Sequence, residues 1–135
     1  MSTSDADTIA PLRQWLREWS AAVRAQDFAA GRRLCTADVT GFGTYTGMME
    51  GVDRLEAEQW RHVWPTIRDF TIDADAARGA VAGDTGWVAA PWTSLGVRPD
   101  GSTFARPGRC TVGLARRDGR WLACHTHFSL TPARA

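Results

Sequence analysis

Apolar positions recur at helical spacing in the first half of the chain and at every second position in the second half. Ile9, Leu12, Leu16, Trp19 and Val23 fall on one helical face, which predicts a first helix capped by Thr8. Gln26-Asp27 interrupts the pattern, and Phe28 to Cys35 reads as a shorter second helix. Val39 to Tyr45 is a glycine-broken strand. Asp53-x-x-Glu56 then opens a third helix with Leu55, Trp60, Val63 and Trp64 on its apolar side, ended by Pro65.

From Arg68 onward the period drops to two, with Phe70, Ile72 and Ala74 alternating with Thr71, Asp73 and Asp75. Turns at Gly83-Asp84, Pro99-Asp100-Gly101 and Asp118-Gly119 leave long strands near 85–97, 103–116 and 120–130. Helices followed by a meander of strands predict an α+β fold. The arrangement expected is a cone-shaped roll, with three N-terminal helices on the concave side of a curved antiparallel or mixed sheet. A chain of 135 residues makes one such domain, and residues 1–7 are expected to be flexible.

The last strand carries most of the candidate chemistry. Strand alternation puts Trp121, Ala123, His125, His127 and Ser129 on one face and Leu122, Cys124, Thr126, Phe128 and Leu130 on the other. Two imidazoles and a hydroxyl on one face suit a polar pocket or interface better than a plain core. His127 is the expected proton relay, because an imidazole titrates near neutrality. His125 and Ser129 are its expected neighbours. Arg109, on the preceding strand, is the candidate to hold a carboxylate or enolate oxygen. A single bulge in the last strand would exchange inside for outside.

Arg117-Asp118-Gly119-Arg120-Trp121 followed by His125-x-His127-x-Ser129-x-x-Pro132 resembles the C-terminal strand of SnoaL-like proteins in the nuclear transport factor 2-like superfamily. It is similar also to the association domain of calcium/calmodulin-dependent kinase two. Asp38 to Phe42, Met49 to Asp53 and Trp60 to Phe70 resemble the first strand, loop and third helix of the same group. The resemblance implies the nuclear transport factor 2-like, or cystatin-like, fold. It leaves function open, because that superfamily hosts isomerases, cyclases, dehydratases and non-catalytic assembly modules. Ketosteroid isomerase chemistry needs a tyrosine and two aspartic acids. The corresponding stretches here read Trp19, Phe42-Gly43 and about Gly113, so that mechanism is not expected.

Composition narrows the classes further. Sixteen basic residues, all arginine, stand against fifteen acidic ones, so no net field favours nucleic acid or an anionic membrane. The absence of lysine removes Schiff-base and Walker-type chemistry. Three widely spaced cysteines suit reduced thiols in the cytoplasm, and Met1 to Thr8 has no apolar signal core. No cofactor is implied, and two histidines with no identified third ligand are not read as a metal site.

Seven tryptophans are a heavy load for this length. Trp19, Tyr45, Trp60, Trp64 and Trp92 are the aromatic candidates for the wall of a pocket holding a small hydrophobic ligand. Two function classes follow. One is an isomerase-, cyclase- or dehydratase-type enzyme that acts by acid–base catalysis on a hydrophobic carbonyl compound in the cone. The other is a non-catalytic binding or hub-like assembly module. A homodimer is expected in both, through an outer sheet face carrying Val112, Leu114, Leu122, Cys124 and Phe128.

Overall fold

The computed structural model describes residues 7–133. The first helix, α1 (Ala10–Ala25), buries Leu12, Trp15, Leu16, Trp19 and Val23 along one stripe. It has no side-chain cap from Thr8; Pro11 sits in the first turn, and the Asp7 carboxylate accepts from the Ile9 N–H at 3.2 Å. Gln26, in the left-handed conformation, ends α1, and the Asp27 side chain caps the short α2 (Phe28–Arg33). A third helical segment, α3, covers 52–66. It is α-helical over Val52–Arg54, π-helical over Leu55–Trp60, α-helical again over Arg61–Val63, and closes in a 3-10 turn at Trp64–Thr66.

Eight strands form one sheet: β1 (Cys35–Phe42), β2 (Met48–Glu50), β3 (Ile67–Ile72), β4 (Arg78–Ala82), β5 (Thr85–Val97), β6 (Thr103–Ala105), β7 (Gly108–Arg117) and β8 (Arg120–Leu130). Their order is β2-β1-β8-β7-β5-β3, with β4 and β6 on the two ends of β5. Only β1 and β8 run parallel, so the sheet is mixed. The α+β architecture matches the expected one, with helices against the concave face of an open, curved sheet. No helix among the described residues is long and apolar enough to cross a membrane.

Several boundaries differ from expectation. β1 begins at Cys35 and ends at Phe42, where a strand over Val39 to Tyr45 is expected. α2 stops at Arg33, and Ala74, expected in a strand, lies in a 3-10 turn over Ala74–Ala76. The strand expected over 103–116 is two strands, separated at Arg106-Pro107, because proline cannot donate to a ladder. The short β2 and β4 lie in stretches whose alternation is too brief to stand out. The remaining hairpins follow the turn chemistry. Asp118 (φ 52°) and Gly119 (φ 75°) both adopt positive φ, as a two-residue hairpin turn requires.

The faces of β7 and β8 are the main correction. On β7, Cys110, Val112 and Leu114 point into the core, the last two being 0% and 1% exposed. They therefore do not form an outer interface. On β8, Ala123 and Thr126 are both buried, three residues apart, which strict alternation forbids. The register explains it: Leu114 pairs with Ala123 but Gly113 pairs with His125, so Cys124 is an extra residue in β8. Before the bulge, Trp121 and Ala123 face inward. After it, Thr126 and Phe128 do, and His125, His127 and Ser129 face outward.

Leu114→Glu, which would break a dimer under the sequence expectation, instead puts a carboxylate into the core. Burying an unpaired charge costs several kcal/mol against a domain stability of about 5–15 kcal/mol. The variant is expected to lose cooperative thermal unfolding by circular dichroism, and a well-folded Leu114→Glu would contradict the face assignment.

Candidate functional site

The concave side of the sheet is filled from the helices inward by aromatic rings. Trp19 of α1 is their centre: it stacks on Trp15 (5.2 Å, 10°) and meets Trp60 and Trp64 edge-on at 5.2 and 5.6 Å. Trp60 and Trp64 stack on each other at 5.1 Å, and Phe28 stacks on the far side of Trp64. From the sheet side, Phe128 faces Trp19 at 6.0 Å, and Phe70 links Phe128 to Trp92. Such pairs each contribute about 0.5–1.5 kcal/mol beyond the area they bury, so the cluster fixes the helices on the sheet and shapes the cone.

The π-helical turn shapes the other wall. Its wider turn brings Leu55, Gln59 and Trp60 to the buried side of α3. Between these residues and the sheet lies a cleft with a cavity volume of ≈ 50 Å³, open to solvent at its mouth. A cavity of this size has room for a few waters.

Polar groups are few and sit on the rim. Gln59 is buried and accepts from the Thr46 hydroxyl at 2.8 Å. Its amide lies 2.2–2.6 Å from where a Cβ on Gly43 would be, so only glycine at 43 admits it. Arg106 is half-buried, donates to the Thr44 hydroxyl at 2.7 Å, and holds its guanidinium carbon 5.5 Å from the centroid of the Trp92 ring. Burial pulls its pKa below the ordinary arginine value. Trp92 lies over Gly108, where a Cβ would fall 2.0–2.5 Å from the ring, and its indole N–H is buried without a partner. None of the fifteen lining residues is Asp, Glu, His or Cys.

Of the residues expected at the site, Trp19, Trp60, Trp64 and Trp92 line this cavity together. The others do not. Tyr45 is 62% exposed and stacks on His62 at 5.0 Å, outside the cavity. His125 faces outward, its Nδ1 2.9 Å from the Thr40 carbonyl. A carbonyl can only accept, so Nδ1 carries the proton. His127 is exposed against the Phe42 ring at 5.0 Å. Arg109 is exposed on the same outer face and donates to the Ser129 hydroxyl at 3.2 Å. His127, Arg109 and Ser129 share a shallow outer depression with Arg78, Pro91 and Thr111. The Cys124 bulge turns the end of β8 over and carries His127 and Ser129 outside. Arg109 is outside because Cys110, Val112 and Leu114 take the inner face of β7, whose alternation is unbroken. Among the described residues no three His, Cys, Asp or Glu side chains gather where a metal could bind.

Gln59 and Arg106, the polar side chains of the cavity that matter most here, were not among the expected site residues. Gln59 lies four residues after Leu55 and so shares its face, but a lone glutamine in an apolar stripe gives no functional signal by itself. Arg106 looks like a solvated turn residue until Pro107 is recognised as the break between two strands.

The sequence pattern of the SnoaL-like domain matches residues 12–133. No curated protein matches the chain in sequence. Among solved structures, a nuclear transport factor 2-like superfamily protein from Salmonella enterica serovar Typhimurium is similar with a TM-score of 0.80 at 18% identity, over 99% of this chain and 96% of that one. The association domain of C. elegans CaMKII is similar with a TM-score of 0.73 at 18% identity, over 95% and 99%. A ketosteroid isomerase-like protein from Erwinia carotovora atroseptica has a TM-score of 0.76 at 17% identity, over 95% and 99%. At these identities the likeness establishes the nuclear transport factor 2-like fold.

The packing of Trp92 on Gly108 generates a prediction. Gly108→Ala forces the ring to shift, at a cost of about 1–3 kcal/mol. Urea unfolding is expected to show that loss together with a shifted tryptophan emission, and an unchanged midpoint and spectrum would contradict the contact.

Proposed function

This chain belongs to the SnoaL-like domain family, and we propose that within it the protein binds one small, flat, largely apolar molecule in the aromatic cone. The observation that carries this reading is a cleft walled by Trp19, Trp60, Trp64, Trp92 and Phe128 with only rim-placed polar groups. Apolar walls with a few fixed polar groups are the usual make-up of a small-molecule site. Binding without proton transfer is favoured over acid–base catalysis, because no carboxylate or imidazole lines the cleft and His127 lies on the other side of the sheet. No nucleic acid or membrane partner is invoked, given a formal net charge of +1. Three free cysteines, two of them buried, suit the cytoplasm, and that is where we place the protein.

Homodimerisation through the outer sheet face is part of the same proposal. That face carries Trp87, 48% exposed, between small neighbours Ala80 and Gly113 on the adjoining strands. A large aromatic among small residues is the kind of anchor that a second copy would cover. The C. elegans neighbour is by name an association domain, which supports a sheet of this shape serving assembly.

2-Naphthamide, a neutral planar probe, is expected to bind saturably by calorimetry. Val63→Trp, which fills the cleft from α3, is expected to abolish binding while leaving the melting temperature within a few degrees. Equal binding to both proteins would contradict the cone as the site. His127→Ala is expected to leave affinity unchanged, and affinity is expected to be flat between about pH 6 and pH 8, because no group that titrates there lines the cleft. A sigmoidal dependence lost in His127→Ala would restore the acid–base alternative. Trp87→Glu is expected to give a folded monomer in sedimentation, and a variant that stays dimeric would overturn the outer-face interface.

A further inference from the structure

Resting on the cone as a ligand site, we infer that its ligand is an organic anion, a planar carboxylate or enolate, whose oxygens pair with the Arg106 guanidinium at the mouth. The arginines of this chain divide by what they touch. Arg13, Arg17, Arg32, Arg54, Arg61 and Arg116 each pair with a carboxylate. Arg24 and Arg120 donate to backbone carbonyls. Arg106 has only the Thr44 hydroxyl as its side-chain partner, and among the described residues no carboxylate is within ion-pair distance. Yet it is half-buried and lines the cleft.

A guanidinium does not give up its proton in proteins, so the charge stays. Partial burial without a counter-ion is a standing cost that an incoming anion offsets. The residue is also held in place. Its N–H donates to the Ser94 carbonyl at 2.9 Å, and its own carbonyl accepts from the buried Ser94 hydroxyl at 2.8 Å. Thr44 takes one guanidinium nitrogen, and the Trp92 ring packs beside the group. The remaining N–H groups are a planar fork suited to two carboxylate oxygens.

The test compares 2-naphthoate with 2-naphthamide, which share a shape and differ in charge. Wild-type protein is expected to bind the naphthoate about tenfold tighter or more, and Arg106→Gln to bring the ratio to about one without weakening the amide. Thr44→Val, which leaves the charge and frees its orientation, is expected to lower the ratio by a smaller factor. Melting temperatures check that each variant is folded. Should the amide bind as well as the naphthoate, or the preference survive in Arg106→Gln, the anion site is wrong while the cone remains a binding site. Should neither probe bind, both the site and its ligand class are overturned.

Discussion

One extra residue in the last strand, Cys124, decides what the inside of this molecule is made of. A strand residue and its second neighbour share a face, so an insertion turns everything beyond it over. Here the turn-over brings Thr126 and Phe128 into the cone and leaves His125, His127 and Ser129 outside. Phe128 then closes the aromatic ring system that begins at Trp19, and the imidazoles become part of an outer surface with Phe42 and Arg109. A cone with no imidazole or carboxylate in its wall is the result.

What remains inside is an aromatic cleft with a single cation at its rim. Apolar area supplies most of the free energy for such a ligand, and one well-placed charge sets which end enters last. Arg106 owes its position to the interruption between β6 and β7, where Pro107 breaks the ladder and Ser94 holds the freed backbone. The π-helical turn brings Trp60 onto the Leu55 face, and Gln59 fits beside them because Gly43 has no Cβ. The cleft is therefore shaped by three local departures from regular structure: a bulge, a proline break and a widened helical turn. Such departures concentrate where a fold presents function.

Much of the fold was legible in the sequence, because it rests on patterns that run over many residues. The helical stripe from Ile9 to Val23, the alternation along β5 and the Asp118-Gly119 turn each point to one structure, and the structure agrees. Trp87 and Trp92 fall on opposite faces of β5, as unbroken alternation requires. The four tryptophans that line the cleft were also legible, since large rings on the inner faces of α1, α3 and β5 have nowhere else to converge. The polar site was not. His127 was placed inside by a phase that holds only as far as Cys124, and a bulge has no residue signature in a strand that remains alternating on both sides of it. Arg109 was assigned the wrong face of β7, whose own alternation is unbroken. Tyr45 was placed by type alone, and it lies outside the cavity, stacked on His62. Arg106 was hidden by the company it keeps, among turn arginines that solvent accommodates.

The central claim is that an anionic flat ligand occupies the cone between the tryptophans and Arg106. The seven indole N–H groups give separate signals in a proton–nitrogen correlation spectrum, so a titration with 2-naphthoate reports which face is occupied. The Trp92 indole and the Arg106 side-chain N–H signals are expected to move together and saturably, with Trp87 unchanged. Movement of Trp87 and of the His127 ring with Trp92 still would put the ligand on the outer face and contradict the account.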